Sequence, residues 1–373
     1  MTNATSPSRE SLVDLIRGFA LVGICCVNLP QMGYPAGDLS PAPALIDRIA
    51  GVLVMGFFEA KSFPLFAFIL GWGIGQHWQR TTPAVFAARH LRRVAALALL
   101  GFAHALLVYT GDILLPYALI SLVIWPFLLL PNLFRLLVAA ASLPWGILGF
   151  AFLGWIIFSV GSYAPEPTGL AGSFSEGVQQ RWDDLPASWF LVLLFNVPFA
   201  FAAALAGAAA ARAGWPSAAP SLARLGKLSR AAVLSVLLGS LLLSLCVATF
   251  WAWNGLETPA TPFGFALFAM AALPQALGYL LVLRWLHAKG WRPSWLLAAG
   301  RNSLTCYVTQ GVLAGWIFGS YGLGLYGELE AASLLGVSLG VALLAAGSAV
   351  LWEKLLGRGP LEYVLSWTTG ARR

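Results

Sequence analysis

The sequence has few charged side chains for its length. Asp, Glu, Lys and Arg make up 10% of its 373 residues, and hydrophobic residues make up 59%. A soluble globular chain carries roughly 25% charged residues. A chain this poor in charge does not cover its surface with solvated groups. The composition therefore excludes an ordinary soluble domain and predicts that lipid surrounds the fold.

The sequence motifs of several familiar chemistries are also absent. There is no P-loop, no Gly-x-Ser-x-Gly elbow, and no group of His, Cys and carboxylate residues with metal-ligand spacing. These absences argue against ATP-driven transport and metal-dependent hydrolysis, and they predict no metal cofactor. All of the cysteines lie in apolar runs, where small buried hydrophobes are expected: Cys25, Cys26, Cys246 and Cys306.

The basic residues are concentrated between apolar runs rather than among exposed aromatic residues. The net charge of +7 is therefore expected to face anionic lipid and cytoplasm, and no nucleic-acid partner is predicted. The basic connections are 80–93, 212–230 and 284–296, whereas the alternate ones are acidic or neutral. The positive-inside rule then places both termini in the cytoplasm. The longest extracytoplasmic loop is predicted at about 161–186.

Long apolar runs predict about ten transmembrane helices, because one crossing needs about 20 mainly apolar residues. We expect an all-α integral membrane protein, a polytopic bundle that forms a single domain over residues 1–373. A further apolar segment, 44–60, is favoured as an interfacial or re-entrant helix rather than an eleventh span. The predicted spans are 12–32, 62–79, 94–111, 113–130, 136–160, 187–211, 230–253, 262–286, 297–318 and 330–352.

The first predicted span carries ionisable residues at one end and an amide further along. Asn28 follows Arg17 by eleven residues, close to three helical turns. Arg17, Leu21, Cys25 and Asn28 therefore form one stripe, and Asp14 shares the face of Arg17. One interpretation is an Asp14–Arg17 ion pair at the membrane interface, with Asn28 bonded to a neighbouring helix. The other is that the stripe belongs to a functional site.

A histidine lies well inside the predicted span 94–111. Arg93 and His104 are also eleven residues apart and share a face, and Asp112 follows at the end of the span. A histidine can act as a general base near neutral pH, although a lone buried histidine is also a common hydrogen-bonded core residue. Along a continuous helix His104 and Asp112 stand about 80° apart, so the spacing alone does not predict a dyad.

The predicted span 297–318 is the most polar. Ser303, Tyr307 and Gln310 share one face, and Arg301 lies at its beginning. Such a stripe does not face lipid, so it either bonds across the bundle or lines a cavity. An adjacent face carries further polar residues: Asn302, Thr305 and Thr309.

Several of these segments resemble a known family. The sequence is similar to the YeiB-like family of bacterial membrane proteins, catalogued as a domain of unknown function. The resemblance implies a multi-pass protein of the bacterial plasma membrane. The matching segments occur in the expected order along nearly the whole chain: 14–20 with Asn28, 61–66, 104–114 with Tyr117, 300–307 with Gln310, and 359–363.

That family looks like a distant branch of the transmembrane acyltransferases. The resemblance implies an acyl-CoA co-substrate that enters from the cytoplasm and an envelope glycan, lipid or small-molecule acceptor reached from the other side. Bacterial glycan acyltransferases have a His where Asn28 stands here, so Asn28 is expected to orient a substrate. The role of base then passes to His104 or Asp112.

Residue roles follow from this implied chemistry. The CoA phosphates would be held by Arg17, Arg93 and Arg301. The remaining polar residues of the two stripes would contact substrate: Asp14, Ser303, Tyr307 and Gln310. Two other readings stay open, a transporter or flippase of a polar or amphipathic solute, and a regulatory or assembly partner without a ligand of its own.

Overall fold

The computed structural model describes residues 7–34, 40–161, 170, 172–216 and 227–368; for 7–10 and 227–229 only the backbone is described. This part of the chain is built of α-helices and contains no strand. The helices are α1 Pro7–Gly33, α2 Leu45–Phe57, α3 Ser62–Arg80, α4 Pro83–Leu107, α5 Leu114–Ile124, α6 Asn132–Val160, α7 Phe174–Leu191, α8 Val197–Arg212, α9 Lys227–Asn254, α10 Thr261–Ala288, α11 Ser294–Arg301, α12 Ser303–Phe318, α13 Ala331–Leu356 and α14 Pro360–Thr368.

The all-α polytopic membrane architecture is confirmed. Within the described residues, eight helical segments are long and apolar enough to cross a bilayer. Two of the ten predicted spans are not among them, because each is interrupted. The span 113–130 breaks after α5, where Pro126 has no backbone N–H to continue the helix. The span 297–318 breaks at Asn302, between α11 and α12. The number of crossing helices stays a prediction.

The apolar segment 44–60 forms the short helix α2. Its 13 residues extend over about 20 Å, less than the roughly 30 Å of a bilayer core. A turn at residues 58–61 joins α2 to α3, and Ala60 in this turn has a φ of 60°. The Asp47 carboxylate accepts the Ala332 backbone N–H at the start of α13, at 2.8 Å. Helix α2 therefore packs against α9 and α13, whereas its Leu45, Ile46, Ile49 and Leu53 side chains are exposed.

The connections between spans are more helical than the sequence analysis predicted. Most of the predicted loop 80–93 belongs to α4, which begins with Pro83 at its first position, where the missing N–H costs nothing. The predicted loop 161–186 contains the start of α7, fixed by a capping box between Ser173 and Glu176. Of the basic loop 212–230, residues 217–226 lie outside the described part of the chain.

The cysteines are free thiols. Cys25, Cys26 and Cys306 are buried, as predicted. The prediction was wrong for Cys246, which is exposed on the outer face of α9. An apolar run places a residue in the membrane, but it does not decide whether that residue faces protein or lipid.

Helix α1 lies at the centre of the bundle. It is the most buried of the long helices and contacts α3, α11, α12 and α13. Two glycines allow α1 and α11 to approach closely: a Cβ on Gly18 would lie 2.1 Å from the Leu296 carbonyl oxygen, and one on Gly300 would lie 1.8 Å from the Asp14 carbonyl oxygen. The polar stripe of α1 is therefore held at the centre of the fold.

Helices α3 and α8 form the most extensive helix pair. A Cβ on Gly71 would lie 1.9 Å from the Ala204 carbonyl oxygen, and one on Gly207 would lie 2.0 Å from the Phe68 carbonyl oxygen. Small residues at a membrane helix interface allow backbones to approach in this way. Gly71 and Gly75 thus serve helix packing against α8.

We expect Gly71→Ala to lower the free energy of unfolding by about 1–3 kcal/mol, because the added methyl group must displace the α8 backbone. Gly336→Ala is the matched control, since a Cβ there meets no atom within 4 Å and alanine favours the helix. Thermal unfolding of the two purified variants in one detergent checks this. Equal melting temperatures would contradict close α3–α8 packing.

Candidate functional site

His104, Asp112 and Tyr307 form a buried cluster in the middle of the bundle. The Nδ1 atom of His104 lies 2.9 Å from Oδ1 of Asp112, although this oxygen lies off the direction of a ring N–H bond. The Tyr307 hydroxyl donates to Asp112 Oδ1 at 3.3 Å. Catalytic hydrogen bonds are often imperfectly aligned before substrate binds. The cluster therefore has the components of an acid–base site.

The early end of α4 brings His104 and Asp112 together. The helix stops at Leu107, and the chain folds back through residues 108–113. Asp112 then accepts the Leu115 backbone N–H through Oδ2 at 2.9 Å, which holds the start of α5. The 80° separation expected on a continuous helix does not apply, because Asp112 is no longer on the helix that carries His104.

The other ring nitrogen of His104 faces a very small cavity, which we call the His104 chamber. Its walls include Asn28, His104, Tyr307, Gln310 and Gly311, and its volume of about 10 Å³ is enough for about one water molecule. The Nε2 atom of His104 and the Oε1 atom of Gln310 are buried and have no hydrogen-bond partner among the described residues. The stripe of α1 therefore ends beside the polar face of α12.

A larger cavity lies further along α1, towards its first residues. This arginine cavity has a volume of about 340 Å³. Its walls bring together all three arginines predicted to bind phosphate, together with two polar residues of α12 and one acidic residue: Arg17, Arg93, Arg301, Ser303, Tyr307 and Glu362. Three positive charges and one negative charge thus line a single cavity.

The three arginines differ in their partners. Arg301 donates two hydrogen bonds to the Glu353 carboxylate, from Nε at 2.7 Å and from Nη2 at 2.8 Å. Arg17 makes a looser contact with Asp14, at 3.8 Å. Arg93 is exposed to the cavity and forms no ion pair or hydrogen bond within the described residues. Arg93 therefore carries the charge that is most available to an anion.

The remaining polar residues around α12 are bonded within the protein. Asn302 donates to Glu353 at 2.8 Å and accepts from the Gly359 backbone N–H at 2.6 Å. Glu362 accepts the backbone N–H groups of Leu304 and Thr305, at 2.7 and 3.1 Å. This network fixes the start of α12 against α13 and α14. The polar span 297–318 therefore both bonds across the bundle and lines a cavity.

A third cavity lies at the opposite end of the α1 stripe. This glutamate cavity has a volume of about 240 Å³ and includes Asn28, Gln31, Glu59, Asn196 and Tyr117 among its walls. Glu59 is the only charged side chain among its described lining residues. The π-helical turn Val192–Asn196 forms part of the same wall.

Ile113 and Tyr117 line both the arginine cavity and the glutamate cavity. They form the septum between the two. Tyr117 is fixed there by a 2.7 Å hydrogen bond to the Phe63 carbonyl oxygen and by stacking on Phe66, with ring centroids 5.7 Å apart. The His104 chamber shares Asn28 with the glutamate cavity and Tyr307 with the arginine cavity. The buried cluster therefore lies beside the septum.

Most of the predicted site residues meet in this region. Asp14 is the exception, because it is paired with Arg17 and is absent from the described cavity walls. Two further wall residues, Glu59 and Tyr117, have no role predicted from the sequence. Tyr117 was already part of a family-like segment, and Glu59 is an ionisable residue inside an apolar run, which is a signal of function in membrane segments.

The fold and the site define a class of protein: a polytopic membrane protein with two cavities that share the wall residues Ile113 and Tyr117, close to a buried histidine and carboxylate. The family pattern described as "Protein of unknown function (DUF418)" matches residues 210–372. No solved structure matches the chain.

Three relatives extend this match, and none of their names assigns an activity. The uncharacterized protein YxaH of Bacillus subtilis (strain 168) is 26% identical over 98% of this chain and 96% of its own. The uncharacterized protein YeiB of Escherichia coli (strain K12) is 27% identical over 95% of each chain. An uncharacterized 39.9 kDa protein of Bacillus acidopullulyticus is 34% identical over 32% of this chain and 34% of its own. The chain is thus similar to YxaH and YeiB over nearly its whole length, and its residues 210–372 match the DUF418 pattern.

Asp112→Asn is expected to destabilise the protein by about 1–3 kcal/mol, because one carboxylate oxygen becomes an N–H₂ donor among groups that donate to it. Asp183→Asn, on the exposed face of α7, serves as the control. Thermal unfolding in detergent measures both. A melting temperature for Asp112→Asn that equals the control would contradict the bonded role of Asp112.

Proposed function

We propose that the protein transfers an acyl group from acyl-CoA, bound in the arginine cavity, to an acceptor bound in the glutamate cavity. The observation that carries the proposal is the position of the buried cluster: His104 and Asp112 lie beside the septum of Ile113 and Tyr117, where the two cavities meet. Two substrates that approach from the two ends would bring their reacting atoms to this point.

The charge of the arginine cavity supports an anionic donor. Guanidinium groups bind phosphates by charge-assisted hydrogen bonds, and CoA carries several phosphates. Arg93 is the principal contact in this proposal, with Arg17 second, because Glu353 engages Arg301. The positive-inside rule favours a cytoplasmic position for this end of the bundle, where acyl-CoA is available.

The proposed reaction needs correct positioning of the two substrates and one general base. The acceptor hydroxyl or amine attacks the thioester carbonyl, so a carbon–oxygen or carbon–nitrogen bond forms and the carbon–sulfur bond breaks. His104 takes the proton of the acceptor, Asp112 stabilises the imidazolium, and the departing CoA thiolate receives a proton. Asn28, at the wall between the His104 chamber and the glutamate cavity, orients the acceptor.

One observation also favours a second candidate function. The arginine and glutamate cavities share the wall residues Ile113 and Tyr117. A transporter or flippase would carry a polar or amphipathic solute past this septum in a conformation in which the two side chains move apart. Such a protein would not depend on CoA.

Arg93→Ala is expected to weaken acetyl-CoA binding about tenfold or more, the contribution of a hydrogen bond between charged groups. Calorimetry on the detergent-purified protein measures the dissociation constant. Arg92→Ala is the matched control, because Arg92 is exposed on the same helix but is not a wall of the arginine cavity. Absence of CoA binding by the folded wild-type protein would refute the acyltransferase proposal and favour transport.

His104→Gln is expected to keep acetyl-CoA binding but to slow transfer by about 100-fold or more, the range for loss of a general base. The measurement is the release of CoA thiol from acetyl-CoA in the presence of a bacterial membrane extract that supplies acceptors. His77→Gln, at a histidine outside the described walls of these cavities, is the control. Unchanged thiol release by His104→Gln would remove His104 from the mechanism.

A further inference from the structure

Two unusual backbone features line the glutamate cavity. Ala60 has a left-handed φ of 60°, a strained conformation for a residue with a Cβ that is concentrated at functional sites. The turn Val192–Asn196 is π-helical, a form found mostly at functional sites. Two such features at one cavity indicate that the cavity itself is used.

The strained turn determines where Glu59 and Lys61 go. Lys61 points away from the cavity: its Nζ donates to the Met55 carbonyl oxygen at 2.7 Å and lies 3.5 Å from the centre of the Phe268 ring. Glu59 points into the cavity and forms no ion pair with Lys61 within the described residues. The Glu59 carboxylate therefore faces the cavity without a cation bonded directly to it among the described residues.

The other walls of the glutamate cavity offer hydrogen bonds without charge. Asn28, Ser188 and Asn196 contribute amide and hydroxyl groups, and the Tyr109 hydroxyl donates to Gln31 at 2.8 Å. No arginine, lysine or histidine belongs to the described walls. A single carboxylate among neutral polar groups in a low-dielectric site favours a cation and disfavours an anion.

We propose that the glutamate cavity binds a small polar ligand with a protonated amine, and that Glu59 is its anchor. The cavity volume of about 240 Å³ lies below the roughly 300 Å³ at which pockets for drug-sized ligands begin, so the ligand is about the size of one sugar ring. Neutral groups of the ligand bond to Asn28 and Asn196. Under the proposed function this ligand is the acceptor; that role rests on the proposed function, whereas the binding does not.

The test uses three sugars of one size and different charge: glucosamine, glucose and glucuronate, at a pH where the amine is protonated. Calorimetry on the full-length protein in lipid nanodiscs, without any acyl donor, gives each dissociation constant. We expect glucosamine to bind about tenfold or more tightly than glucose and glucuronate to bind more weakly than either. Equal binding of the three sugars, or no binding of glucosamine, would overturn the proposal.

The variant Glu59→Gln is expected to bring glucosamine binding to the level of glucose and to leave glucose binding unchanged. Glu328→Gln, at an exposed acidic residue outside the described walls of the cavity, is the control. The three-sugar comparison on the wild type needs no variant, so a Glu59→Gln protein that does not fold leaves that test intact. Because acyl-CoA is absent, failure of CoA binding in the earlier experiment does not affect this result.

Discussion

Burial of the Asp112 carboxylate inside an apolar bundle is the constraint on which the site depends. An unpaired charge in this environment is costly, so its oxygens must be met by donors. Leu115 supplies a backbone N–H, Tyr307 supplies a hydroxyl, and His104 lies 2.9 Å away. These partners come from α5, α12 and α4, so the three helices must converge on Asp112. Because Ile113 follows Asp112 in the chain, the convergence of these helices also places Ile113 in the septum.

The charges that line the two cavities divide into those paired within the protein and those without an ion pair. Arg301 and Arg17 have carboxylate partners, whereas Arg93 and Glu59 face their cavities without an ion pair in the described residues. An uncompensated charge beside low-dielectric walls attracts a counter-ion strongly. Under the proposals above, the two cavities would select ligands of opposite charge, and the septum would keep these ligands apart.

The sequence predicts the parts of this arrangement that follow from local periodicity. Apolar run length predicts the all-α membrane fold, and eleven-residue spacing predicts that Arg17 and Asn28 share a stripe. The pairing of His104 with Asp112 depends on where α4 stops, which tertiary contacts decide. Glu59 faces its cavity because of a left-handed residue, and alanine at that position gives no sign of one. The start of α7 could have been predicted, since Ser-x-x-Glu is a capping signal.

The opposite charges of the two cavities also separate the candidate functions. A transporter that carries one solute past the septum must bind the same chemical groups on both sides. Here the arginine cavity offers cations and the glutamate cavity offers a carboxylate, so a solute with a single net charge meets attraction at one end and repulsion at the other. Group transfer has no such conflict, because donor and acceptor are different molecules and only their reacting atoms must meet. Under the proposed transfer, Tyr117 is fixed by its hydrogen bond to the Phe63 carbonyl oxygen and would limit the contact to the reacting atoms. The same fixed side chain would obstruct the passage of a whole solute.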